Sequence, residues 1–355
     1  MSAARTWRFG VVGTGAMAAT MMECLALEPR VEVAAIASAD PARAREFAAR
    51  FGVRESHAGL ADLLARTDID AIYIATATRD HAEHAIAALS AGKAVLCEKP
   101  FAIDAAQGRR VIDAAQKHRA LFMEAQWTPA LPAYRELLRV ARERALGEPV
   151  QLHSEFGIAL VPASHPRLFE GEGAGVLLDF GVYPIVLALQ LLGPVRTTTA
   201  AIRRNAAGTD VHASLQLVHE QGGQSQLAAS LVASLPNRTS LACTLGRVEL
   251  DSPVMGAERL QARSMPAATG GQAAESGLKQ ALRRHRWLRR AKAALSSRGA
   301  SEHPFGANRY APQLAHFVGL LDAGALQSDL MPHATSLAVL QVVDTARALD
   351  PARAG

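Results

Sequence analysis

Short apolar runs alternate with stretches of helical periodicity over about the first 125 residues of the chain. Short apolar runs predict strands, and apolar positions three and four residues apart predict helices. Asp40, Asp80 and Asp104 precede three predicted helices, and aspartate is a preferred N-cap residue. The predicted helices are Ala16–Leu27, Pro41 to about Phe51, His81–Ala91 and a helix from Asp104 to about His118. The predicted strands are Arg8–Val12, Val31–Ala37, Ala71–Ala75, Ala94–Cys97 and Leu121–Ala125. Strict alternation of strands and helices predicts a doubly wound parallel sheet.

The pattern changes after Trp127. Pro132–Arg144 has helical periodicity, and the runs that follow alternate apolar with polar residues, as strands with one exposed face do. Gly222-Gly223 separates two of these runs and indicates a hairpin. Two more helices are predicted near Arg309–Asp322 and His333–Leu349. The predicted strands are Val150–Phe156, Thr197–Arg203, Val211–His219, Gln226–Ala233, Ser240–Leu245 and Arg247–Leu250.

Together these patterns predict an α/β protein with two domains, which its 355 residues accommodate easily. We expect an N-terminal Rossmann domain, with a doubly wound parallel sheet, over residues 1–127. We expect a C-terminal α+β domain over residues 128–355, with a mainly antiparallel open sheet covered by helices on one face.

The net charge of +5 comes from one short segment. Residues 277–298 contain eight basic side chains and no acidic one, whereas the rest of the chain has 30 basic and 33 acidic residues. A nucleic-acid-binding surface over the whole protein is therefore not expected. Apolar residues at three- and four-residue spacing in this basic insert predict a helix. It can be a surface helix, a lid for an anionic substrate, or a contact with membrane or nucleic acid.

Three widely spaced cysteines form neither a disulfide framework nor a zinc motif, and we expect no metal site. The N-terminus lacks the apolar region of a signal peptide, and no apolar stretch of about 20 residues can span a membrane. We therefore expect a cytoplasmic protein with reduced thiols.

The first predicted strand runs into a G-x-G-x-x-A turn. Gly13 allows a tight turn, Gly15 lets the backbone approach a pyrophosphate, and Ala18 lets helix and strand pack closely. The same pattern occurs in structural turns without a nucleotide. Here it lies at the first β–α junction of an alternating chain, and it predicts dinucleotide binding.

The end of the second strand indicates which dinucleotide is preferred. Ser38 stands where an aspartate or glutamate would hold the ribose hydroxyls and repel a 2′-phosphate. Arg43, in the first turn of the next helix, can reach that phosphate. We expect a preference for NADP(H), with NAD(H) possible. In the alternative interpretation, Asp40 holds NAD and Arg43 is merely solvated.

Two further segments carry candidate chemistry. Lys99 follows a buried strand at the edge of the sheet where ligands bind, in a chain with only 5 lysines against 33 arginines. Taken alone, a lysine at such a position is more often a surface charge than a functional residue. Asp179 and Tyr183 are four residues apart and share a face if their glycine-rich segment is helical.

The G-x-G-x-x-A turn, Gly92–Ala102 (GKAVLCEKPFA) and residues 173–184 (GAGVLLDFGVYP) resemble, in this order, three signatures of the Gfo/Idh/MocA oxidoreductase family. The resemblance covers nearly the whole chain except the basic insert. Met123–Trp127 (MEAQW) and Tyr183 resemble the branch of dihydrodiol and D-xylose dehydrogenases. Pro129-Ala130-Leu131 departs from that branch, whose members often have an Arg-Phe pair there.

The resemblance implies roles for individual residues. Lys99 would lie beside the nicotinamide and lower the pKa of the Tyr183 phenol, which would exchange the proton. Asp179 would orient the substrate or Lys99, and the Lys99–Pro100 peptide bond would be cis. Trp127 and Phe156 would line the substrate pocket, although either can be a core residue. His81 would also contact a ligand, although it can be simply the first residue of its helix. The positions that would contact the cofactor are Gly13, Thr14, Gly15, Ala16, Met17, Ser38, Arg43, Thr76, His81, Glu98 and Lys99.

The function expected from the resemblance is NADP(H)-dependent hydride transfer to or from a secondary alcohol or ketone. The substrate would be a small cyclic polyol, sugar or dihydrodiol. A nucleotide-sugar ketoreductase and a regulatory protein that binds the cofactor without turnover are alternatives. The resemblance also implies that the C-terminal domain serves substrate binding and oligomerisation, and the family's open sheet implies a homodimer or homotetramer.

Overall fold

The structure is a computed structural model that describes residues 5–265 and 299–350. The basic insert at 277–298 therefore lies outside the described residues, and its three interpretations stay predictions. Within the described ranges, no helix is long and apolar enough to cross a membrane.

The first sheet has six described strands, all parallel, in the order β3-β2-β1-β4-β5-β6. The order reverses direction beside β1, which places the ends of β1 and β4 at a topological switch point, where such sheets bind ligands. The central strands are apolar except for a few positions such as Arg8 and Glu98, because helices cover both faces. The strands are β1 Trp7–Val12, β2 Val31–Ser38, β3 Ser56–Ala58, β4 Ala71–Ile74, β5 Ala94–Glu98 and β6 Phe122–Ala125.

The helices of this half follow their strands as the alternation predicts. The Asp40 side chain caps α2, and the Asp104 side chain accepts a hydrogen bond from Gln107 N at the start of α5. Asp80 does not cap α4, because the preceding turn, Thr78–Asp80, is already helical and leaves Asp80 with helical dihedral angles. The helices are α1 Ala16–Leu25, α2 Pro41–Arg50, α3 Leu60–Leu64, α4 His81–Ser90 and α5 Ala105–His118.

The second sheet has eight described strands in the order β14-β13-β12-β11-β7-β10-β9-β8. Only the β7–β10 pair is parallel among them, so the predicted antiparallel character is confirmed. The hairpin at Gly222-Gly223 joins β9 to β10. The strands are β7 Pro149–Gly157, β8 Val195–Arg204, β9 Asp210–His219, β10 Gln224–Ser230, β11 Thr239–Cys243, β12 Gly246–Leu250, β13 Arg259–Ser264 and β14 Ala300–Glu302.

Helices of the second half cover one face of this sheet and also reach the first sheet. The apolar helix α8 packs on β7 and β10, and α10 packs on α8, β8 and α5. Helix α9 joins the core of the first sheet, where Phe317 meets Phe9 with ring centroids 5.9 Å apart. The domain boundary at residue 127 stays a prediction. The helices are α6 Pro132–Arg142, α7 Pro166–Phe169, α8 Val182–Leu192, α9 Ala311–Asp322 and α10 His333–Ala348.

Most differences from the predicted elements lie at their ends or in short segments. The strand predicted over Gln226–Ala233 ends at Ser230, because the Ser230 hydroxyl accepts hydrogen bonds from Val232 N and Ala233 N and turns the chain. The short elements β3, α3, β13 and β14 were not predicted, since three to six residues carry too little periodicity.

Candidate active site

The turn after β1 has the geometry that the sequence predicts for a dinucleotide-binding turn. Gly13 has φ +111°, and a Cβ built on it would lie 2.2 Å from the Ala75 carbonyl oxygen, so only glycine fits. A Cβ built on Gly15 would meet no protein atom within 4 Å. The turn therefore leaves open space at Gly15 for close approach of a ligand to the backbone.

The beginning of α1 is suited to an anion. No acidic side chain lies in its first turn, and no side-chain cap occupies the first N–H groups at Gly15. The Thr14 hydroxyl is buried and lacks a hydrogen-bond partner in the described part of the chain. Free N–H groups, the positive end of the helix dipole and an unpaired hydroxyl fit the pyrophosphate of a dinucleotide. Ala16 and Met17 form the first turn of this helix.

Near the end of β2, the Asp40 carboxylate is hydrogen-bonded, whereas the Arg43 guanidinium makes no ion pair among the described residues. Asp40 accepts hydrogen bonds from the backbone N–H groups of Ala42 at 2.8 Å and Arg43 at 3.2 Å. The Ser38 hydroxyl accepts from Asp40 N at 3.3 Å. The Arg43 side chain is exposed and has no ion-pair partner among the described residues. This arrangement keeps the Asp40 carboxylate occupied with helix capping.

Lys99 is not a surface charge. Its Nζ donates to the Asp179 carboxylate at 2.6 Å and to the Asp179 carbonyl at 2.8 Å, and its side chain is only 13% exposed. Burial alone would lower the pKa of Lys99, but the charge and the hydrogen bond of Asp179, together with Tyr183, outweigh burial and raise the pKa. Lys99 is therefore a fixed positive charge at neutral pH. The Lys99–Pro100 peptide bond is cis, as the resemblance implies.

The glycine-rich segment before Asp179 requires glycine at two positions. Gly173 has φ +79°, and a Cβ on it would press on Thr78 and Ile103 of the first half at 3.2 and 3.1 Å. Gly175 has φ +116°, and its Cβ would lie 2.3 Å from a carboxylate oxygen of Asp210. That carboxylate accepts from Leu177 N at 2.9 Å and thereby holds the start of the next helix.

That helix begins as one π-helical turn over Leu177–Gly181 and continues as α8. Asp179 and Tyr183 both face Lys99, as their four-residue spacing predicts. Lys99 Nζ lies 4.8 Å from the centroid of the Tyr183 ring. π-Helical turns are rare and often occur at functional sites. The segment thus brings two chemically active side chains to one lysine.

The Tyr183 ring is enclosed by aromatic side chains. Trp127 Nε1 donates to the Tyr183 hydroxyl at 3.2 Å, and the Phe156 ring meets the Tyr183 ring edge-on at a centroid distance of 5.9 Å. Trp127 and Phe156 are 5% and 8% exposed, respectively. They are core residues and at the same time walls of the space around Tyr183, so the two interpretations of these residues do not exclude each other.

Lys99 lowers the pKa of Tyr183, as expected, but the net shift of this pKa is upward. Burial raises the pKa of Tyr183 to about 12. The positive charge of Lys99 offsets only part of this rise, and the negative charge of Asp179 adds to it. The phenol is therefore protonated at neutral pH. In this state Tyr183 can donate a proton and cannot accept one.

Two buried carboxylates, those of Glu98 and Glu124, lie close enough to Lys99 for its charge to affect their pKa values. Burial raises the pKa of Glu98 and of Glu124 to about 7 each. The Glu98 carboxylate accepts a hydrogen bond from the Tyr73 hydroxyl at 2.7 Å. Glu124 faces Phe101 N at 3.4 Å, in the loop that follows Lys99. Direct contact of Glu98 with the cofactor stays a prediction.

Thr76 lies just after β4, and His81 begins α4 beside the loops that follow β4 and β5. The His81 ring faces the Pro100 carbonyl at 2.8 Å and the Thr76 carbonyl at 3.3 Å, and the side chain is buried. The Thr76 hydroxyl lies 3.1 Å from His84 Nδ1. His81 thus links two loops at the edge of the sheet, and its direct contact with a ligand stays a prediction.

Four further residues lie near this cluster and were not predicted from the sequence: Tyr73, Glu124, Arg309 and Tyr310. Tyr73 and Glu124 each place a polar group in an otherwise apolar strand, and this pattern could have indicated both residues. Tyr310, whose ring centroid lies 5.0 Å from that of Trp127, and its neighbour Arg309 carry no such signal, because the position of α9 places them there. In the described part of the chain, no group of three or more potential metal ligands is present.

Comparisons with known proteins agree with this geometry. The profile described as an oxidoreductase family with an NAD-binding Rossmann fold (GFO/IDH/MocA) matches residues 7–126, and the profile of its C-terminal domain matches residues 134–249. Trans-1,2-dihydrobenzene-1,2-diol dehydrogenase from Xenopus laevis is 30% identical over 250 residues, which are 69% of this chain and 75% of that protein. The enzyme of this name from Bos taurus is 31% identical over 250 residues, 69% of this chain and 74% of that protein.

Solved structures share the fold over nearly the whole chain. A 3-ketoreductase from Actinomadura kijaniata in complex with NADP and TDP-benzene has a TM-score of 0.78 at 26% identity, with 98% of each chain covered. An aldose-aldose oxidoreductase from Caulobacter crescentus has a TM-score of 0.80 at 19% identity, also with 98% of each chain covered, which is a likeness of fold alone.

Proposed function

This chain belongs to the GFO/IDH/MocA oxidoreductase family, and on that premise we propose that it is an NADP(H)-dependent oxidoreductase. Its substrate would be the secondary alcohol, or the corresponding ketone, of a cyclic polyol, sugar or dihydrodiol. The single observation that carries this proposal is the cluster of Lys99, Asp179 and Tyr183 at the carboxyl edge of the same sheet that carries the phosphate-binding turn.

In the proposed mechanism the bound nicotinamide supplies the hydride, and the chain supplies position, charge and a proton. Tyr183 donates its phenolic proton to the oxygen of a ketone during reduction. Lys99 stabilises the negative charge that develops on that oxygen, and Asp179 holds the lysine in place. Trp127 donates to the Tyr183 hydroxyl oxygen and fixes the orientation of the phenol.

The protonation state of Tyr183 favours reduction as the direction in which this chain works best near neutral pH. With its pKa raised to about 12, the phenol begins as a proton donor. Oxidation requires the phenolate, which forms only at high pH. This directional preference follows from burial of the phenol and belongs to the proposal.

The proposed preference for NADP(H) is supported by the end of β2. The Asp40 carboxylate is occupied as the cap of α2, and Arg43 is free to meet a 2′-phosphate. We expect Arg43→Gln to lower kcat/KM with NADPH about tenfold and to leave kcat/KM with NADH unchanged. Arg109→Gln, an exposed arginine on α5, is the control. A tenfold preference of the wild type for NADH would contradict the proposal.

A panel assay tests the reaction itself. The purified protein is mixed with NADPH or NADP⁺ and with polyols, sugars, dihydrodiols or their ketones, and nicotinamide absorbance is followed. We expect turnover of at least one ketone or alcohol that depends on Tyr183. Cofactor binding without turnover across the whole panel would instead favour a regulatory protein.

Reduction of a nucleotide-linked keto-sugar is a second candidate function. Two observations favour it: the protonated Tyr183 suits ketone reduction, and the exposed Arg309 at the aromatic wall has no carboxylate partner among the described residues. The solved 3-ketoreductase with NADP and TDP-benzene is a neighbour of the same fold. A keto-sugar nucleotide in the panel separates this function from reduction of a neutral sugar.

The proposal includes a homo-oligomer and a cytoplasmic location. The face of the second sheet opposite α8 and α10 presents small and polar side chains, including Thr199, Gln216 and Ala228, around a shallow concavity of about 570 Å³ that can receive a second copy. The three cysteines are free thiols, which fits a reducing compartment. Light scattering that reports a monomer at micromolar concentration would contradict the oligomer.

A further inference from the structure

Asp210 and Arg347 form a buried ion pair beside the π-helical turn Leu177–Gly181. Asp210 begins β9, Arg347 lies in the last turn of α10, and their side chains are 3% and 14% exposed. One carboxylate oxygen of Asp210 lies 2.9 Å from Nη2 of Arg347. The pair therefore fastens the second sheet to α10 at a point next to this turn.

Both members of the pair bind the backbone that leads into the turn. The Asp210 carboxylate accepts a hydrogen bond from Leu177 N at 2.9 Å. Arg347 Nη2 donates to the Ala174 carbonyl at 3.0 Å. The residue before the turn, Val176, has an apolar side chain that cannot cap a helix, so the cap of this turn comes from Asp210. The ion pair thus fixes the residue at which the turn begins.

The same turn holds Lys99 through its backbone as well as through a side chain. Lys99 Nζ donates to the Asp179 carbonyl at 2.8 Å and to the Asp179 carboxylate at 2.6 Å. A π-helical bond to this carbonyl would need the N–H group of the residue five positions on, which is Pro184 and has none. The carbonyl is therefore open to the lysine. A shift of the turn's backbone would move Lys99, whose Nζ lies 4.8 Å from the centroid of the Tyr183 ring.

The pair does not itself bind the reacting side chains. In the part of the chain that the structure describes, it makes no hydrogen bond or ion pair with Lys99, Asp179 or Tyr183. Asp210 and Arg347 line a surface cleft of about 650 Å³, and none of these three residues lines it. Any effect of the pair on the reaction would therefore pass through the backbone of the turn.

We propose that Asp210 and Arg347 are positioning residues, whose ion pair sets the start of the π-helical turn and thereby holds Lys99 in the geometry that the reaction needs. The inference rests on the proposed function and adds a buried pair to its machinery. A purely structural role is the alternative: loss of the pair would then lower stability and leave the turnover of each folded molecule unchanged.

Asp210→Asn tests the inference, because it keeps the shape of the side chain and removes its charge. We expect kcat for ketone reduction to fall about 10- to 100-fold, as small misplacements of reacting groups produce. The Kd for NADPH should stay within about twofold of wild type, since the phosphate-binding turn is built from other residues. Arg347→Met should lower kcat in the same way. Arg347→Lys, which keeps the charge and a donor, should keep most of the wild-type kcat.

The ion pair of Arg204 and Asp350 provides a matched control. Its two atoms are 2.7 Å apart, its side chains are 13% and 5% exposed, and it too joins the second sheet to the C-terminal end of α10. Among the described residues, it makes no hydrogen bond or ion pair with residues 174–177. Asp350→Asn should therefore lower the free energy of unfolding by an amount similar to Asp210→Asn, while kcat stays close to wild type.

A double-mutant cycle distinguishes positioning from a general loss of structure. In the Lys99→Ala background, Asp210→Asn should lower kcat no further, because the lysine that the pair positions is absent. Single-turnover rates with NADPH measure the slow variants. Hydrogen exchange followed by mass spectrometry should show faster exchange over residues 174–181 in Asp210→Asn than in Asp350→Asn.

The outcomes separate this inference from the proposed function. With turnover by the wild type established, a kcat in Asp210→Asn no lower than that in Asp350→Asn overturns the inference alone. Equal fold losses of kcat from Asp210→Asn in the wild-type and Lys99→Ala backgrounds also overturn it. Should Asp210→Asn fail to fold, the same comparisons are made with Arg347→Met. Absence of turnover by the wild type overturns the proposed function and this inference with it.

Discussion

The phosphate-binding turn and the cluster around Lys99 lie at the same edge of one sheet, yet they are built differently. The turn is six consecutive residues, Gly13–Ala18, and works through backbone N–H groups and missing side chains. The cluster joins side chains from four separate segments: the ends of β5 and β6, strand β7, and the π-helical turn before α8.

The turn and the cluster are therefore sensitive to different kinds of substitution. The turn depends on local backbone geometry, so a single methyl group can damage it. The cluster depends on distant segments being held together, and its electrostatics depend on burial. Its chemistry should therefore respond to changes in charge and pH that leave the fold intact.

The largest effect is expected from removing the cluster's chemistry. Lys99→Ala and Tyr183→Phe should each lower kcat by about 100- to 10,000-fold, because each removes charge stabilisation or proton transfer. Steady-state kinetics with the substrate found in the panel measures this loss. Circular dichroism should stay close to wild type in both variants, and the cofactor Kd should stay close to wild type in Tyr183→Phe.

Two substitutions elsewhere serve as controls for that prediction. Lys117→Ala changes an exposed lysine on α5, and Tyr134→Phe removes a buried hydroxyl outside the lysine cluster. Both variants should keep kcat within a few-fold of wild type. Near-normal turnover of both Lys99→Ala and Tyr183→Phe would refute the proposed mechanism.

A pair of glycine substitutions separates folding from binding in the turn. Gly13→Ala should lower the free energy of unfolding by about 2 kcal/mol or more, because φ is +111° and the new Cβ would meet the Ala75 carbonyl. Gly15→Ala should leave stability within about 0.5 kcal/mol of wild type, since its Cβ meets no protein atom. Urea unfolding measures both values.

Cofactor affinity completes that comparison. Gly15→Ala should raise the Kd for NADP about tenfold or more, because the methyl group fills the space reserved for the pyrophosphate. Equal destabilisation by the two substitutions, or an unchanged Kd in Gly15→Ala, would show that Gly15 does not border a bound cofactor.

The pH dependence of reduction and of oxidation tests the protonation state of Tyr183 in the cluster. Because the pKa of Tyr183 is raised to about 12, its protonated form dominates across the neutral range. The kcat for reduction should therefore be flat from about pH 6 to 10, while log kcat for oxidation rises by about one per pH unit. Stopped-flow rates of hydride transfer in both directions provide the test. A flat oxidation profile would exclude the Tyr183 phenolate as the base.

A further effect is expected on the pH dependence of stability. The pKa of Glu124 is raised to about 7 in the folded protein, so its contribution to stability is full below the unfolded value of 4.5 and is lost as pH rises through 7. Between pH 5 and 8, the free energy of unfolding of the wild type should fall by roughly 2 kcal/mol relative to that of Glu124→Gln, because glutamine does not titrate. It should show no such fall relative to that of Glu23→Gln, on the exposed side of α1. Parallel pH profiles for wild type and Glu124→Gln would contradict the prediction.

Much of the fold follows from local pattern. Apolar runs between helices predict the parallel sheet because its strands are buried on both faces, and the alternation after residue 149 predicts the open sheet because its strands are buried on one. The turn at Gly13 and the capping of α2 by Asp40 are also local, since each depends on a few neighbouring residues.

Other features depend on contacts between segments far apart in sequence. The sequence pairs Asp179 with Tyr183 by spacing, but only the fold brings Lys99 to both, 80 residues from its Asp179 partner. The raised pKa of Tyr183 could not be predicted, because it depends on burial by Trp127 and Phe156. Arg309 has no local signal, since α9 must first pack on the opposite sheet to place it.

The two sheets and the turn at Gly13 therefore follow from the sequence, because they depend on periodicity and short-range sterics. The candidate reacting side chains follow from the resemblance of three sequence segments to the family. Only the tertiary structure decided how those side chains are charged and what surrounds them. Burial and distance set electrostatic energies, and both arise when segments separated along the chain pack together.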